Sequence, residues 1–187
     1  YTGANLLNML RVQVYRGVFA HNSTVVAQAF ARAFQDVCHH HQDKESIQAD
    51  NSFHQHGTQL ESGGYGATFA SIILSLAVVS GGTAFAMPAD KLSVFEGLVL
   101  DGQARMTRGG SWDWQVTGRA VSTPSLLKIR LGSTSDMRRF GDAVSLTRKR
   151  EWEALARRID TGDASAGAAL VGTTAFYNSD YLAHNRP

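Results

Sequence analysis

The chain has 187 residues, of which 43% are hydrophobic and 18% charged, and it carries a formal net charge of +2. That length and balance suit one folded domain with a real core, and they exclude a disordered chain. A charge this small tolerates an acidic substrate but is far from the basic surface of a nucleic-acid binder.

Leu6, Leu7, Met9, Leu10, Val12, Val14, Tyr15 and Val18 recur at helical spacing, with Arg11, Gln13 and Arg16 between them. Asn22-Ser23-Thr24 then offers N-caps for a second helix, whose stripe is Val25, Val26, Ala29, Phe30, Ala33, Phe34 and Val37. Cys38 is the single cysteine, so no disulfide framework exists, and one thiol does not fix the compartment. Residues 38–66 are polar and glycine-bearing and read as a long loop, a length that is usually functional.

A third helix is predicted from about Ala67 to Val79, ending at Gly81-Gly82. It is the longest apolar run, yet it falls short of the ~20 residues that span a bilayer. It contains Thr68, Ser71 and Ser75 and reads as a buried helix. Pro88 opens a fourth segment with apolar Leu92, Phe95, Leu98, Val99 and Leu100. Residues 101–124 are loop-rich, and Leu126 to Leu131 suits helix or strand. The clearest amphipathic helix runs from about Ala143 to Ile159, around Leu146, Trp152, Leu155 and Ile159. Beyond Thr161-Gly162-Asp163 the small, β-branched and aromatic run Ala168 to Tyr177 predicts strands. The first residue is Tyr1, and no signal peptide is visible. Helix hairpins that pass into a sheet at the last residues read as a segment of a larger protein.

One stretch stands apart from this architecture. Asp50-Asn51-Ser52-Phe53-His54-Gln55-His56 is followed by Gly63-Gly64-Tyr65-Gly66. Core packing does not ask for so many polar groups in a row. A base that titrates near neutrality and a phenol acid share one glycine-punctuated loop. That pairing suits taking a proton from carbon while protonating a leaving oxygen.

These residues resemble the central part of polysaccharide lyase family 8, the chondroitin AC, hyaluronate and xanthan lyases. Tyr1-Thr2-Gly3-Ala4-Asn5 is similar to the family's Thr-Gly-Ala-Asn segment. Asp50 to His56 is similar to Asp-Gly-Ser-Phe-x-Gln-His, with Asn51 in place of the Gly. Gly63 to Gly66 is similar to Gly-Ala-Tyr-Gly at the same distance from the His. Gly118-Arg119-Ala120-Val121-Ser122 resembles the Arg-Gly-Arg-x-Ile-Ser-Arg segment, with Thr117 and Thr123 in place of its first and last Arg. Asn178-Ser179-Asp180 through His184-Asn185-Arg186-Pro187 resembles the start of the family's β domain. The likeness runs in order along the whole chain.

The resemblance implies a mainly α fold, the helix hairpins of an incomplete (α/α) toroid over residues 1–165, with a β-sandwich domain beginning at 166–187. It implies β-elimination at a uronic acid of chondroitin or hyaluronan, without metal or other cofactor, by a secreted enzyme with an acidic polysaccharide substrate. Asn5 would donate to the uronate carboxylate and spread the charge of the enolate-like intermediate. Its alternative role is a helix N-cap. Either His56 takes the C5 proton while Tyr65 protonates the leaving oxygen, or Tyr65 does both in turn with Arg119 and His56 supporting its phenolate. Arg119 is otherwise a surface residue after a glycine turn. Gln55, Trp112 and Trp114 are placed at the substrate, the two indoles as stacking faces for sugar rings or as loop anchors.

Other readings remain. On an extended segment His54 and His56 face the same way and could bind zinc, with His39-His40-His41 as further donors, although that run suits a solvated loop. Glu61 lies in the same loop, but a glycosidase pair would need a second carboxylate. Asn22-Ser23-Thr24 matches a glycosylation sequon by pattern. A non-catalytic polysaccharide-binding module and a glycoside hydrolase on a helical toroid are the alternatives to a lyase.

Overall fold

The computed structural model describes residues 1–37, 39–41, 44–123, 127–129, 131–162 and 172–185. Cys38, Leu126, the run 168–171 and the final Arg186-Pro187 lie outside them. The fold is mainly α, with small antiparallel strand pairs.

Helix α1 (Gly3–Phe19) and helix α2 (Ser23–Ala31) form a hairpin, and α2 continues as a π-helical turn to Val37. As the sequence predicts, Asn22 caps α2, its side chain accepting from the Val25 amide at 3.1 Å. Leu7, Leu10 and Val14 of α1 face inward, whereas Met9, Val12, Tyr15 and Val18 are exposed, so the apolar pattern covers more than one face.

Helix α3 (Tyr65–Ser80) packs against both α1 and α5 (Thr134–Ala143). Being covered on several sides, it is apolar nearly all round, with Phe69, Ile73 and Leu74 almost fully buried. It begins two residues before the predicted start, which makes Tyr65 its first residue. No helix among the described residues is long and apolar enough to cross a membrane.

Helix α4 (Ala89–Glu96) follows Pro88 and runs on through a π turn, Gly97–Gly102, and a 3₁₀ turn, Gln103–Met106. The helix predicted from about Ala143 to Ile159 starts six residues later, and a helix that the sequence analysis does not predict precedes it. Helix α5 ends at Ala143, and α6 (Lys149–Thr161) starts after a bend that exposes Leu146. Phe95, Phe140 and Trp152 join α4, α5 and α6, with Phe140 and Trp152 ring centroids 4.8 Å apart. Ser145 in the bend accepts from the Trp152 indole at 2.9 Å and donates to Glu96. Arg158 of α6 is buried, its guanidinium donating to the carbonyls of Ala104 (3.2 Å) and Thr107 (2.6 Å).

The supposed loop 38–66 holds a three-stranded antiparallel sheet instead: β1 (Ser46–Ile47), β2 (Phe53–Gln55) and β3 (Gln59–Leu60). The tight turn before β2 needs a left-handed residue at Asn51, φ +66°, a conformation Asn tolerates better than most residues. Residues 101–124 carry a short hairpin, β4 (Thr107–Arg108) with β5 (Ser111–Trp112). Lys128, in the stretch that suited helix or strand, bridges to Ser111.

The strands predicted near the C-terminus form an antiparallel pair, β6 (Gly172–Phe176) with β7 (Tyr181–Asn185). The connecting turn is bonded to the segment before β2. The Asn178 amide donates to Asp50 at 2.7 Å, and Ser179 Oγ meets His54 Nε2 at 2.7 Å and donates to Ser52 Oγ at 3.2 Å.

Candidate active site

The loop between β3 and α3 is held at every residue. Glu61 donates its amide to the Phe53 carbonyl (2.9 Å), and Gly63 donates to the Val116 carbonyl (2.7 Å). The Ser62 hydroxyl accepts the Phe53 amide (3.0 Å), while the Ser62 carbonyl accepts from Gln103 (2.8 Å). Tyr65 therefore enters α3 from a fixed platform, half-buried, with its hydroxyl free to meet a partner.

That partner is Arg119. Its Nη2 donates to the Tyr65 hydroxyl at 3.0 Å, and its guanidinium carbon lies 5.8 Å from the phenol centroid. Arg119 sits on the 3₁₀ turn Gly118–Ser122, which follows the Val116 that Gly63 binds. One short backbone bond thus links the positions of phenol and guanidinium.

His56 completes the group. Its ring stands at 88° to the Tyr65 ring with centroids 5.0 Å apart. It leaves β2 in a left-handed conformation, φ +57°, which turns its side chain to solvent. His54, still in the strand, is buried and bonded to Ser179. The two histidines consequently do not face the same way, which corrects the zinc geometry that an extended segment suggests. Among the described residues no group of three or more potential metal-ligating side chains gathers.

Asn5 is reached through an anchor. Gln55 Oε1 accepts the Ala4 amide at 3.4 Å, and Gln55 Nε2 donates to Glu45 at 2.7 Å. Glu45 also accepts from the Thr2 hydroxyl and from the Gly57 amide (3.3 Å). A Cβ on Gly3 would lie 2.5 Å from Gln55 Oε1, so only glycine lets the start of α1 approach β2 this closely. Thr2 occupies the N-cap position of α1. Asn5 is therefore inside the helix rather than its cap, and its side chain is exposed on the turn anchored beside His56. The structure brings Tyr65 into contact with both His56 and Arg119, and bonds Ala4, the neighbour of Asn5, to Gln55, the neighbour of His56.

Two of the residues expected at the substrate are placed otherwise. Gln55 is 1% exposed, and both ends of its amide are committed to Ala4 and Glu45. Trp112 is 4% exposed, and a Cβ on Gly63 would lie 2.9 Å from its ring. The pair anchors the site from beneath and offers no open face. Trp114 differs, being 60% exposed on the turn that precedes Arg119.

The electrostatics centre on two carboxylates. The Thr2 hydroxyl, aided by the amides of Gly57 and His56, holds Glu45 below the usual carboxylate range. Burial pushes Glu61 above it, opposed by the Tyr65 amide and the charges of His56 and Arg119. A cavity of about 270 Å³ opens beside Tyr65, with Arg119 and Lys128 as its cations and Glu61 and Thr117 in its wall. Neither Glu45 nor Lys128 is distinguishable as a site residue in the sequence, since long-range pairing alone brings them here.

The sequence profile of polysaccharide lyase family 8, N-terminal alpha-helical domain, matches residues 1–157. Chondroitinase-AC of Pedobacter heparinus is 30% identical over 188 aligned residues, which cover 100% of this chain and 26% of that one. A chondroitinase AC lyase solved with oligosaccharides superposes over the whole chain, 27% of its own length, with TM-score 0.89 and 29% identity. A Paenibacillus xanthan lyase shares the fold over the whole chain and 20% of its own length, with TM-score 0.78 and 20% identity. The chain thus spans about a quarter of the length of these relatives.

Proposed function

The chain belongs to polysaccharide lyase family 8, and on that premise we propose that it carries the catalytic part of a longer enzyme that cleaves chondroitin or hyaluronan by β-elimination. The single observation behind this reading is the Arg119–Tyr65 hydrogen bond of 3.0 Å with His56 standing across the phenol.

The uronate's C5 proton lies next to a carboxylate and is barely acidic while that group is charged. Asn5, exposed on the first turn of α1, donates to the carboxylate and takes up the charge that develops there. Tyr65, with Arg119 donating to its oxygen, removes the C5 proton as phenolate. The C4–O4 bond breaks, a C4–C5 double bond forms, and the same phenol returns the proton to O4. A guanidinium at that distance favours negative charge on the oxygen it touches. His56, across the phenol, offers its ring nitrogens to the uronate. No metal or nucleophilic water is needed.

The polymer's negative charge suits the Arg119 and Lys128 rim, and the exposed Trp114 offers an apolar face to a pyranose ring. We place the division between helical toroid (1–165) and β domain (166–187), the rest of a larger chain and a secreted location within the same proposal. Exposed Val12, Tyr15 and Val18 then meet the remainder of the protein.

The full-length parent, incubated with each uronate polymer, should yield product with the ultraviolet absorbance of a conjugated double bond. Folded parent giving product without that absorbance would point to hydrolysis, and no product at all to a binding module.

A further inference from the structure

Glu61 takes no part in the chemistry above, yet it sits directly beneath it. It is 3% exposed, and a carboxylate so deeply buried needs partners. Those partners belong to the site. Its carboxylate accepts the backbone amide of Tyr65 and lies within reach of the charges of His56 and Arg119. Its carbonyl accepts the amides of Gly64 (3.1 Å) and Gly66 (2.9 Å), so this one residue closes the first turn of α3 from below.

The space it fills is made by two glycines. A Cβ on Gly118 would lie 2.0 Å from Glu61 Oε1, and one on Gly64 would lie 2.2 Å from Oε2. Gly118 also takes φ +54°, the turn that delivers Arg119 to the phenol. The carboxylate is therefore wedged between the backbone that carries Tyr65 and the backbone that carries Arg119.

We propose that Glu61 is a positioning residue for the elimination, its buried carboxylate fixing the start of α3 and its charge holding Arg119 and His56 in place about the Tyr65 phenol. This rests on the lyase reading. Burial alone disfavours the ionised form of this group. A residue present only for packing would lose nothing by being neutral, so the charge itself is the feature to test.

Glu61→Gln in the full-length parent keeps the shape and the acceptor for Tyr65 and removes only the charge. The expected result is a fall in kcat of about 10- to 100-fold with KM within about threefold. Thermal stability at neutral pH stays equal or rises, and the acid limb of the kcat profile moves to lower pH. Glu61→Asp, which keeps the charge, retains more activity than Glu61→Gln. An active parent whose Gln variant has unchanged kcat and an unmoved profile would overturn the inference and leave the lyase reading standing. So would a Gln variant that loses stability together with activity, or one that outperforms the Asp variant. A folded parent that gives no unsaturated product would overturn both.

Discussion

Arg119 donates to the Tyr65 hydroxyl across 3.0 Å, joining the first residue of α3 to a 3₁₀ turn 54 residues later in the chain. Neither side chain is buried deeply enough for packing to impose the contact. The framework below imposes it, through the Gly63–Val116 backbone bond of 2.7 Å and the carboxylate wedged under both backbones.

Replacing Arg119 tests that contact. Arg119→Ala should lower kcat by about 10²-fold or more, because the phenolate that takes the C5 proton loses its charged hydrogen-bond donor. Arg119→Lys should recover only part of it, because an ammonium keeps the charge without the planar fork. Steady-state kinetics on the full-length parent measure both, and a Lys variant with parental kcat would count against the assigned geometry.

The two indoles of the Trp112-Asp113-Trp114 turn should separate cleanly. Trp112 is buried, so Trp112→Ala should cost about 3–5 kcal/mol of stability, in line with other core aromatic truncations. Trp114 is exposed, and Trp114→Ala should leave stability within about 0.5 kcal/mol while raising KM for polymer. Denaturant unfolding and kinetics on the same two variants check the contrast.

Glu45 gives a dependence on pH. Its folded carboxyl is held below the ordinary value, first by the Thr2 hydroxyl and then by the amides of Gly57 and His56. A depressed carboxyl supplies its stability in full above the unfolded value and loses it as pH falls through the folded one. Glu45→Gln should thus be less stable than the parent at neutral pH, and the gap should close below the usual Glu range. Thermal midpoints measured across acid pH follow this, and a gap that persists unchanged into acid would contradict it.

Asp50 ties the C-terminal strand pair to the site loop. Asp50→Ala leaves the amides of Asn178 and Ser52 without their acceptor, at a cost of about 1–3 kcal/mol for each group that stays buried. Hydrogen exchange should quicken across residues 172–185 and at Ser52. Exchange unchanged in both places would mean that other contacts hold the pair.

Much of this arrangement is legible in the sequence, and the rest is hidden for physical reasons. The Asn22 cap, the apolar α3 and the unusual polar run from Asp50 to His56 all declare themselves by local chemistry. The three-stranded sheet does not, because strands of two or three residues show no alternation. The polar side chains buried there are bonded from elsewhere in the chain, Ser52 and His54 by Ser179 and Gln55 by Ala4 and Glu45. Helix α5 had a local signal that composition masked: Ser133 caps it through the Asp136 amide at 3.0 Å. The bend at Ser145 separates two helices that share one polar texture. Gln55 and Trp112 look like groups for a substrate, yet each is consumed in holding the site together. Their roles depend on partners far away in the chain.

The central claim is that the Tyr65 hydroxyl moves the proton. Tyr65→Phe keeps the ring against His56 and removes only that oxygen, so it should reduce unsaturated product by at least about 10²-fold, the smallest usual contribution of a general acid or base. Binding of the intact polymer should stay within about threefold of the parent, since one exposed hydroxyl adds little to a long contact. Turnover near the parental rate in a correctly folded Tyr65→Phe enzyme would contradict the account.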